Sequence, residues 1–346
     1  MAWDVIGQDW AVALLQEGLA NERVAHAYLF SGPPQIGKTH LAQVLAQALN
    51  CTQPDPPCGE CPSCQKIAAR THPDVRVIVG EGAGESIKID QVRALQREAI
   101  LFPYEGQYRV FILRRMDQAS VEAANSLLKT LEEPPAHVVL ILTAVQVEAL
   151  PATVVSRCQR LDLRPITQRQ VAEALQKRGV TRDKAQLLGR LSGGRIGWAI
   201  QAAERDEPLS QRQQGLEQLI QLLSATRVER FDFASKASRD AASCRDLIEL
   251  WAVWWRDLLL QRATGGGHLV NLDRADELRQ LAHRIDLSQA WAVLAALEST
   301  AAQIDANVNA RLALEGLLLK LPRWEVAPSG GAGSSQESQP GITESR

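Results

Sequence analysis

The sequence has 346 residues, which exceeds one ordinary domain and suits two or three domains with complete apolar cores. Its formal net charge is −2, which excludes a globally basic nucleic-acid surface, so any contact with DNA must be local or shared with partner chains. A run of about 18 apolar residues is absent, as is a leader of charged, apolar and small residues. We therefore expect a cytoplasmic protein with no membrane contact.

Residues 1–165 alternate short apolar runs with helical stretches, a pattern typical of a parallel sheet with helices on both faces. The sequence predicts strands at 27–30 (AYLF), 74–79 (DVRVIV), 109–113 (RVFIL), 137–144 (HVVLILTA) and 160–163 (RLDL). The predicted helices between them include 39–50, 89–102 and 120–133. Pro134 and Pro135 stop the last of these, because proline cannot continue a helix.

After Pro165 the predicted strands stop. Residues 166–208 read as short helices, and residues 209–326 read as an all-helical region. The stretch 247–260 (LIELWAVWWRDLLL) is apolar nearly all round, so we expect it at the centre of a helical bundle. Residues 327–346 are rich in Gly, Ser and polar residues, and we expect a disordered tail there.

Residues 31–39 read SGPPQIGKT, and Gly32 to Thr39 fit the phosphate-loop pattern G-x-x-x-x-G-K-[ST]. The loop follows a predicted strand and opens a predicted helix, where backbone N–H groups point at phosphates and Gly37 lets the backbone come close. Lys38 adds charge at the β/γ end, and the Thr39 hydroxyl can ligate magnesium. The alternative is an ordinary Gly-Pro turn with a chance lysine. We expect Gly32, Gly37, Lys38 and Thr39 to contact a nucleotide.

The apolar strand 109–113 ends in Arg114 and Arg115, where nucleotide-hydrolysing proteins built this way place acids that handle magnesium and water. A guanidinium stays protonated, has no acceptor and repels the metal. We expect Asp117 to face solvent or to cap the helix that begins near Ser120. The alternative is that both arginines are surface residues and the acid lies elsewhere. If instead the arginines replace the acids, we expect a pocket that can hold a nucleotide and barely hydrolyses it.

Four of the six cysteines lie within fourteen residues, as Cys51, Cys58, Cys61 and Cys64. In a reducing cytosol such a cluster indicates a metal rather than disulfides. Zinc takes four thiolates in a tetrahedron, and two C-x2-C steps wrap it well. We expect a closed, structural zinc site; disulfides and idle thiols are the alternatives.

Two further residues have both a functional and an ordinary interpretation. Thr143 ends the 137–144 strand near the phosphate loop, where its hydroxyl can orient a γ-phosphate or be simply buried. Arg157 follows an apolar helical stretch, where it can reach a phosphate on a neighbouring chain or bond the last carbonyls of its own helix. From the residues alone, the helix-end role of Arg157 is the simpler interpretation.

Taken together, the chain resembles the bacterial DNA polymerase III clamp-loader family, and within that family the delta-prime type of subunit. The stretches that carry the resemblance extend from the N-terminal region to the last predicted helix. They are VIGQ (5–8), HAYLFSGPPQIGKT (26–39), the cysteine cluster, HPD (72–74), IKIDQVRAL (87–95), NSLLKTLEEPP (125–135), SRC (156–158) and NARLALEGLLLKL (309–321).

The resemblance implies an α/β AAA+ P-loop domain at 1–165 with a zinc module at 51–64, a small helical lid at 166–208, and an all-α collar at 209–326, followed by the tail. Such a subunit joins tau/gamma and delta subunits in an open five-membered ring. The ring assembles the sliding clamp onto primer–template DNA with ATP as the energy source. By motif position, Arg157 is then an arginine finger offered in trans, and the four cysteines are zinc ligands.

Two departures from the motor subunits of this family stand out. Arg114 and Arg115 replace the acidic box, and Gly197 falls where motors carry a lid arginine that senses nucleotide, although Arg195 is close by. Both departures suit a stator, meaning a subunit that supports the ring without hydrolysing ATP. The intact phosphate loop leaves ATP and magnesium binding open, with the subunit's own ATPase weak or absent.

Two alternatives remain. The first is a tau/gamma-type motor with active ATPase; the arginines argue against it, as do the short stretches before VIGQ and after the last helix. The second is a stand-alone ATP-binding switch unrelated to replication, which would not associate with other clamp-loader subunits.

Overall fold

The computed structural model describes residues 3–81, 86–267, 269–306 and 308–323, and it confirms a parallel sheet with helices on both faces. The sheet has five strands in the order β2-β3-β4-β1-β5, and every neighbouring pair is parallel. The strands are β1 (Ala27–Ser31), β2 (Val75–Ile78), β3 (Arg109–Leu113), β4 (Val138–Ala144) and β5 (Gln159–Asp162). All five lie within a residue or so of the predicted positions.

Six helices accompany these strands in the described part of the first region. They are α1 (Asp9–Ala20), α2 (Lys38–Leu49), α3 (Pro62–Ala68), α4 (Ile89–Ala99), α5 (Val121–Glu132) and α6 (Ala152–Val155). The predicted helix 89–102 ends early, at Ala99. Ser120 starts α5, since its hydroxyl accepts a hydrogen bond from the N–H of Ala123 at 3.1 Å.

Alternate residues of β3 explain why both faces of the sheet are covered. Val110 and Ile112 pack in the cluster formed with α1 and α2, whereas Phe111 and Leu113 pack in the cluster formed with α4 and α5. A strand buried on both faces reads as a continuous apolar run rather than an alternating one. The run VFIL is therefore what a central parallel strand requires.

Nine helices follow the sheet within the described residues. They are α7 (Gln168–Lys177), α8 (Arg182–Leu191), α9 (Ile196–Glu204), α10 (Glu207–Ser224), α11 (Arg227–Ala237), α12 (Ala241–Thr264), α13 (Ala275–Ala282), α14 (Leu287–Asp305) and α15 (Ala310–Lys320). The first three share a small core of their own. The boundary proposed at 208 falls just inside α10, and the tail proposed at 327–346 lies outside the described residues.

The six helices α10 to α15 share one large core. Its centre is α12, where Trp251, Trp254 and Trp255 are fully buried, as the apolar stretch 247–260 predicts. The indole Nε1 of Trp251 donates to the carbonyl oxygen of Gly215 at 2.9 Å, which ties α12 to α10. Among the described helices, none is both long and apolar enough to cross a membrane.

Candidate nucleotide site and cysteine centre

The carboxyl ends of β1, β3 and β4 meet at one edge of the sheet, because the strands are parallel neighbours. The phosphate loop follows β1, the two arginines follow β3, and Thr143 lies near the end of β4, paired in register with Phe30. The predicted nucleotide residues are thus brought together, whereas Arg157 and the four cysteines lie elsewhere.

The phosphate loop has a positive φ at each of its two glycines, a backbone conformation that glycine adopts readily. Gly32 has a φ of +133°, and a Cβ there would lie 2.3 Å from the carbonyl oxygen of Leu163, so no side chain fits. Gly37 has a φ of +107° and caps the N-terminus of α2. The first turn of α2 therefore presents its N–H groups at the end of the loop, as an anion site requires.

Lys38 lies inside this loop with 7 % of its surface exposed. Its Nζ donates to the carbonyl oxygens of Gly32 at 2.5 Å and Pro33 at 2.6 Å. Burial lowers the pKa of Lys38 to about 8, the charge of Asp117 opposes that shift, and the charge of Arg115 adds to it. The ammonium group of Lys38 is thus held by carbonyl oxygens of its own loop.

Arg115 is held at the edge of the pocket by its backbone as well as its side chain. Its φ is +53°, and its N–H donates to Oγ1 of Thr143 at 3.1 Å. The Thr143 side chain, which is 2 % exposed, thus supports the turn that follows β3. A hydroxyl that accepts this bond still has its own proton to donate.

The prediction that Asp117 faces solvent or caps a helix is wrong. Its side chain is 5 % exposed and accepts from Arg115 through both oxygens, from Nε at 3.3 Å and from Nη2 at 3.2 Å. The left-handed turn at Arg115 folds the chain back into a short 3₁₀ turn, Met116–Gln118, and brings Asp117 into the pocket. The carboxylate of Asp117 is therefore occupied by a guanidinium.

The lid helix α9 rests directly on the phosphate loop. The N–H of Gly197 donates to the carbonyl oxygen of Gln35 at 2.8 Å, and a Cβ at Gly197 would lie 2.7 Å from that oxygen. Arg195 turns away, since its Nε donates to the carbonyl of Ser192 at 3.0 Å and its Nη1 lies 3.9 Å from Glu249. At Gly197, where a motor subunit is expected to carry a sensing arginine, the chain thus contacts the loop through its backbone N–H.

Arg157 lies after α6 with its side chain 36 % exposed. Its Nη2 is 2.8 Å from Oε1 of Glu132 at the end of α5, and its Nη1 donates to the carbonyl of Thr153 at 3.0 Å. The helix-end contact considered for Arg157 is therefore present. The guanidinium remains at the surface, tethered by Glu132.

The four clustered cysteines form a centre that can hold a metal such as zinc. The Sγ atoms of Cys51, Cys58, Cys61 and Cys64 all lie within 4.8 Å of one another, and those of Cys58 and Cys64 are 4.0 Å apart. A tetrahedral zinc with sulfur at about 2.3 Å separates its ligands by about 3.8 Å. The donor set is all sulfur, which is typical of a closed structural site.

Backbone N–H groups point at these sulfurs. The amides of Cys58, Cys61 and Cys64 lie 3.4, 3.2 and 3.4 Å from the Sγ atoms of Cys51, Cys58 and Cys61 respectively. Burial raises the pKa of the Cys64 thiol. Burial acts in the same direction at Cys61, but hydrogen bonds, including those from Thr52 and Cys64, outweigh it and lower the pKa of Cys61 to about 6. The N–H groups around the sulfurs therefore favour the thiolate form that a metal requires.

The cysteine centre lies at the far end of α2 from the phosphate loop. α2 has 12 residues, which span about 18 Å. The amide of Gln47 in this helix donates to the carbonyl of Cys64 at 2.9 Å, which joins α2 to the cysteine loop. The distance separates the centre from any chemistry at the phosphates.

The strand order, the phosphate loop after β1 and the contact of α9 with that loop define a phosphate-loop α/β fold of the AAA+ type. Two family models match the chain: "DNA polymerase III, delta subunit" over residues 7–167, and "DNA polymerase III, delta subunit, C terminal" over residues 206–323. The two models together match most of the chain, which therefore belongs to the DNA polymerase III delta subunit family.

Individual relatives agree with this family. The delta' subunit of DNA polymerase III from Bacillus subtilis is 28 % identical over 322 residues, 91 % of this chain and 96 % of that protein. The tau subunit from the same organism is 36 % identical over 176 residues, 50 % of this chain but 31 % of that protein, so the chain spans about a third of its length. A gamma subunit-related protein of Thermotoga maritima is 17 % identical, with a TM-score of 0.41, covering 88 % of this chain and 97 % of that one.

Three residues, two beside the phosphate loop and one beside Arg157, escape prediction from sequence. Asp117 enters the pocket because of a backbone turn, Gln35 receives the lid through its carbonyl, and Glu132 meets Arg157 from a different helix. For Asp117 and Gln35 a residue pattern carries no signal, because the contacts depend on backbone conformation. Glu132 is an acid in a helix's last turn, where lysine or arginine is the usual choice, and that is a weak hint of a partner.

Proposed function

We propose that the chain is a stator-type clamp-loader subunit similar to delta prime. It helps to load the sliding clamp onto primed DNA, binds ATP with little or no hydrolysis, and offers Arg157 to the ATP of a neighbouring motor subunit. The observation that carries the proposal is the Arg115–Asp117 pair. It places a guanidinium and an occupied carboxylate where a motor needs a metal and an activated water.

The proposed partners are tau/gamma and delta subunits, and the clamp and primer–template DNA are reached through the assembled complex. Support comes from the likeness to a delta' subunit over nearly its whole length, together with the two delta-type family models. The net charge of −2 agrees with DNA contacts that are shared with other chains.

The cysteine centre is proposed to hold one structural zinc through Cys51, Cys58, Cys61 and Cys64. Such a metal would cross-link the segment between α2 and α3 and would not take part in ATP chemistry. The residues proposed for the nucleotide are Gly32, Gly37, Lys38, Thr39 and Thr143.

The proposed finger is tested by Arg157→Ala in a complex reconstituted with the motor and delta subunits. Arginine fingers contribute large factors to phosphoryl transfer, so we expect normal assembly and a fall in DNA-stimulated ATPase of about tenfold or more. The control is Arg160→Ala, because Arg160 is similarly exposed, at 44 %, and is also paired with a carboxylate, that of Asp162. Full ATPase in the Arg157→Ala complex would refute the trans role.

The alternatives make different predictions. A tau/gamma-type motor would hydrolyse ATP on its own when DNA is present. A stand-alone switch would fail to bind other clamp-loader subunits in a pull-down. Co-purification of the chain with motor and delta subunits, in a complex that gains ATPase from its presence, is the result that favours the stator.

A further inference from the structure

The edge of the nucleotide pocket where a magnesium ion would sit is built from side-chain cations. In other phosphate-loop proteins this ion is held by the loop's Ser or Thr and by an acid after a neighbouring strand. Here the loop carries Thr39, whose hydroxyl is the first of these ligands by type, but β3 is followed by Arg114 and Arg115. The second half of the metal site is therefore replaced by positive charge.

Asp117 does not restore that second half. Both of its carboxylate oxygens are bonded to Arg115, and its side chain is 5 % exposed. A dication could use this carboxylate only by displacing the guanidinium and then remaining beside it. Coulomb repulsion in a partly buried site makes that arrangement unfavourable.

Arg115 is placed to act on the same phosphates as Lys38. Its N–H donates to Oγ1 of Thr143 at 3.1 Å, and Thr143 pairs in register with Phe30, which lies just before the phosphate loop. The side chain is 34 % exposed. A guanidinium has five N–H donors in a fork that matches phosphate geometry, and the bonds to Asp117 come from only Nε and Nη2.

We propose that this pocket binds the polyphosphate of ATP or ADP without a divalent cation, with the Arg115 guanidinium in the place of magnesium. The proposal rests on the nucleotide binding proposed above and specifies the form of the ligand. It also explains why a bound nucleotide would not be hydrolysed. Arginine and lysine would neutralise the polyphosphate, but no metal would align and activate an attacking water.

The test is equilibrium binding of a fluorescent ATP analogue to the full chain in resin-depleted buffer, with and without added magnesium. Strong chelators are avoided because they would also remove metal from the cysteine centre. For the wild type, the Kd is expected to agree within about threefold between the two conditions. A wild-type Kd that is about tenfold or more weaker without magnesium would overturn the proposal while leaving nucleotide binding intact.

Arg115→Asn sharpens the test, because asparagine tolerates the left-handed backbone at this position. Metal-free binding should weaken about tenfold, and magnesium should recover part of the loss now that Asp117 is released. The control Arg279→Asn removes an exposed collar arginine that is also paired with a carboxylate, that of Asp276 at 2.8 Å. It should bind as the wild type does.

Absence of binding by the wild type in both buffers would refute the nucleotide-binding part of the proposed function, and this inference with it. That outcome differs from magnesium-dependent binding, which refutes only the inference. The comparison of the wild type in the two buffers is decisive by itself if Arg115→Asn fails to fold.

Discussion

At the scale of single residues, Arg115 shows how one backbone conformation arranges a pocket. Its left-handed conformation is unfavourable for a residue with a Cβ by about 1–2 kcal/mol. The hydrogen bond to the Thr143 hydroxyl and the pair with Asp117 offset this cost. Thr143 and Asp117 thus fix the turn at Arg115, and the Arg115 guanidinium in return occupies the carboxylate of Asp117.

At Gly197, the absence of a Cβ atom allows α9 to approach the phosphate loop closely. Because a Cβ would lie 2.7 Å from the Gln35 carbonyl oxygen, Gly197→Ala should push α9 off the phosphate loop. Overpacking of this kind costs about 1–3 kcal/mol. We expect amide hydrogen exchange at the contact to accelerate by about tenfold, measured by mass spectrometry of peptides that contain Gln35 and Gly197.

Gly316 in α15 provides the matched control. A Cβ at Gly316 meets nothing within 4 Å, so Gly316→Ala should stabilise the helix by about 0.5–1 kcal/mol and leave exchange at the lid unchanged. Equal exchange rates in Gly197→Ala and the wild type would show that the lid does not depend on this close approach.

At the scale of elements, α2 links the two proposed sites. Its first turn forms the end of the phosphate loop, and its last turns lead to the cysteine centre through Gln47. A zinc at the far end would stiffen the segment 51–64, which is otherwise held by the start of α3 and by hydrogen bonds such as those from Trp3 to Pro56 and from Gln47 to Cys64. The metal is therefore expected to matter for folding rather than for ATP.

Cys58→Ser tests this role, because the Sγ of Cys58 lies among the other three sulfurs and accepts N–H groups from Glu60 and Cys61. We expect bound zinc to fall from about one per chain to nearly none, and the free energy of unfolding to fall by about 2 kcal/mol or more. Metal analysis and thermal unfolding measure both effects.

The control for the zinc test is Cys158→Ser. Burial raises the pKa of the Cys158 thiol to about 12, and this cysteine lies outside the cluster. Its replacement should leave the zinc content unchanged. Loss of zinc from both variants, or from neither, would contradict the assignment of the four clustered cysteines.

The elements themselves follow from the sequence because they rest on local chemistry. A run such as VFIL at 110–113 predicts a strand buried on both faces, and the paired prolines at 134–135 predict the end of the preceding helix. Contacts between elements escape the same reasoning. The end of α4 at Ala99 and the entry of Asp117 into the pocket depend on turns whose sequences are compatible with several conformations.

At the scale of the whole molecule, polar and charged residues connect the sheet region to helices α9, α12 and α14. Asp305 of α14 accepts hydrogen bonds from Gln146, which follows β4, and from Arg245 of α12, the latter at 3.1 Å. Arg245 also pairs with Glu249 at 2.8 Å, and Glu249 lies 3.9 Å from Arg195 of the lid. These contacts tie the sheet region to the helices that follow it.

The central claim is that the guanidinium beside Asp117 silences this pocket, so that the subunit acts on ATP held by another chain. The most direct measurement is steady-state ATP hydrolysis by the purified full chain with magnesium and primed DNA. The Lys38→Ala variant is assayed in parallel as the control. We predict that the wild type shows no turnover above Lys38→Ala. DNA-stimulated turnover that disappears in Lys38→Ala would contradict the claim and identify the chain as a motor.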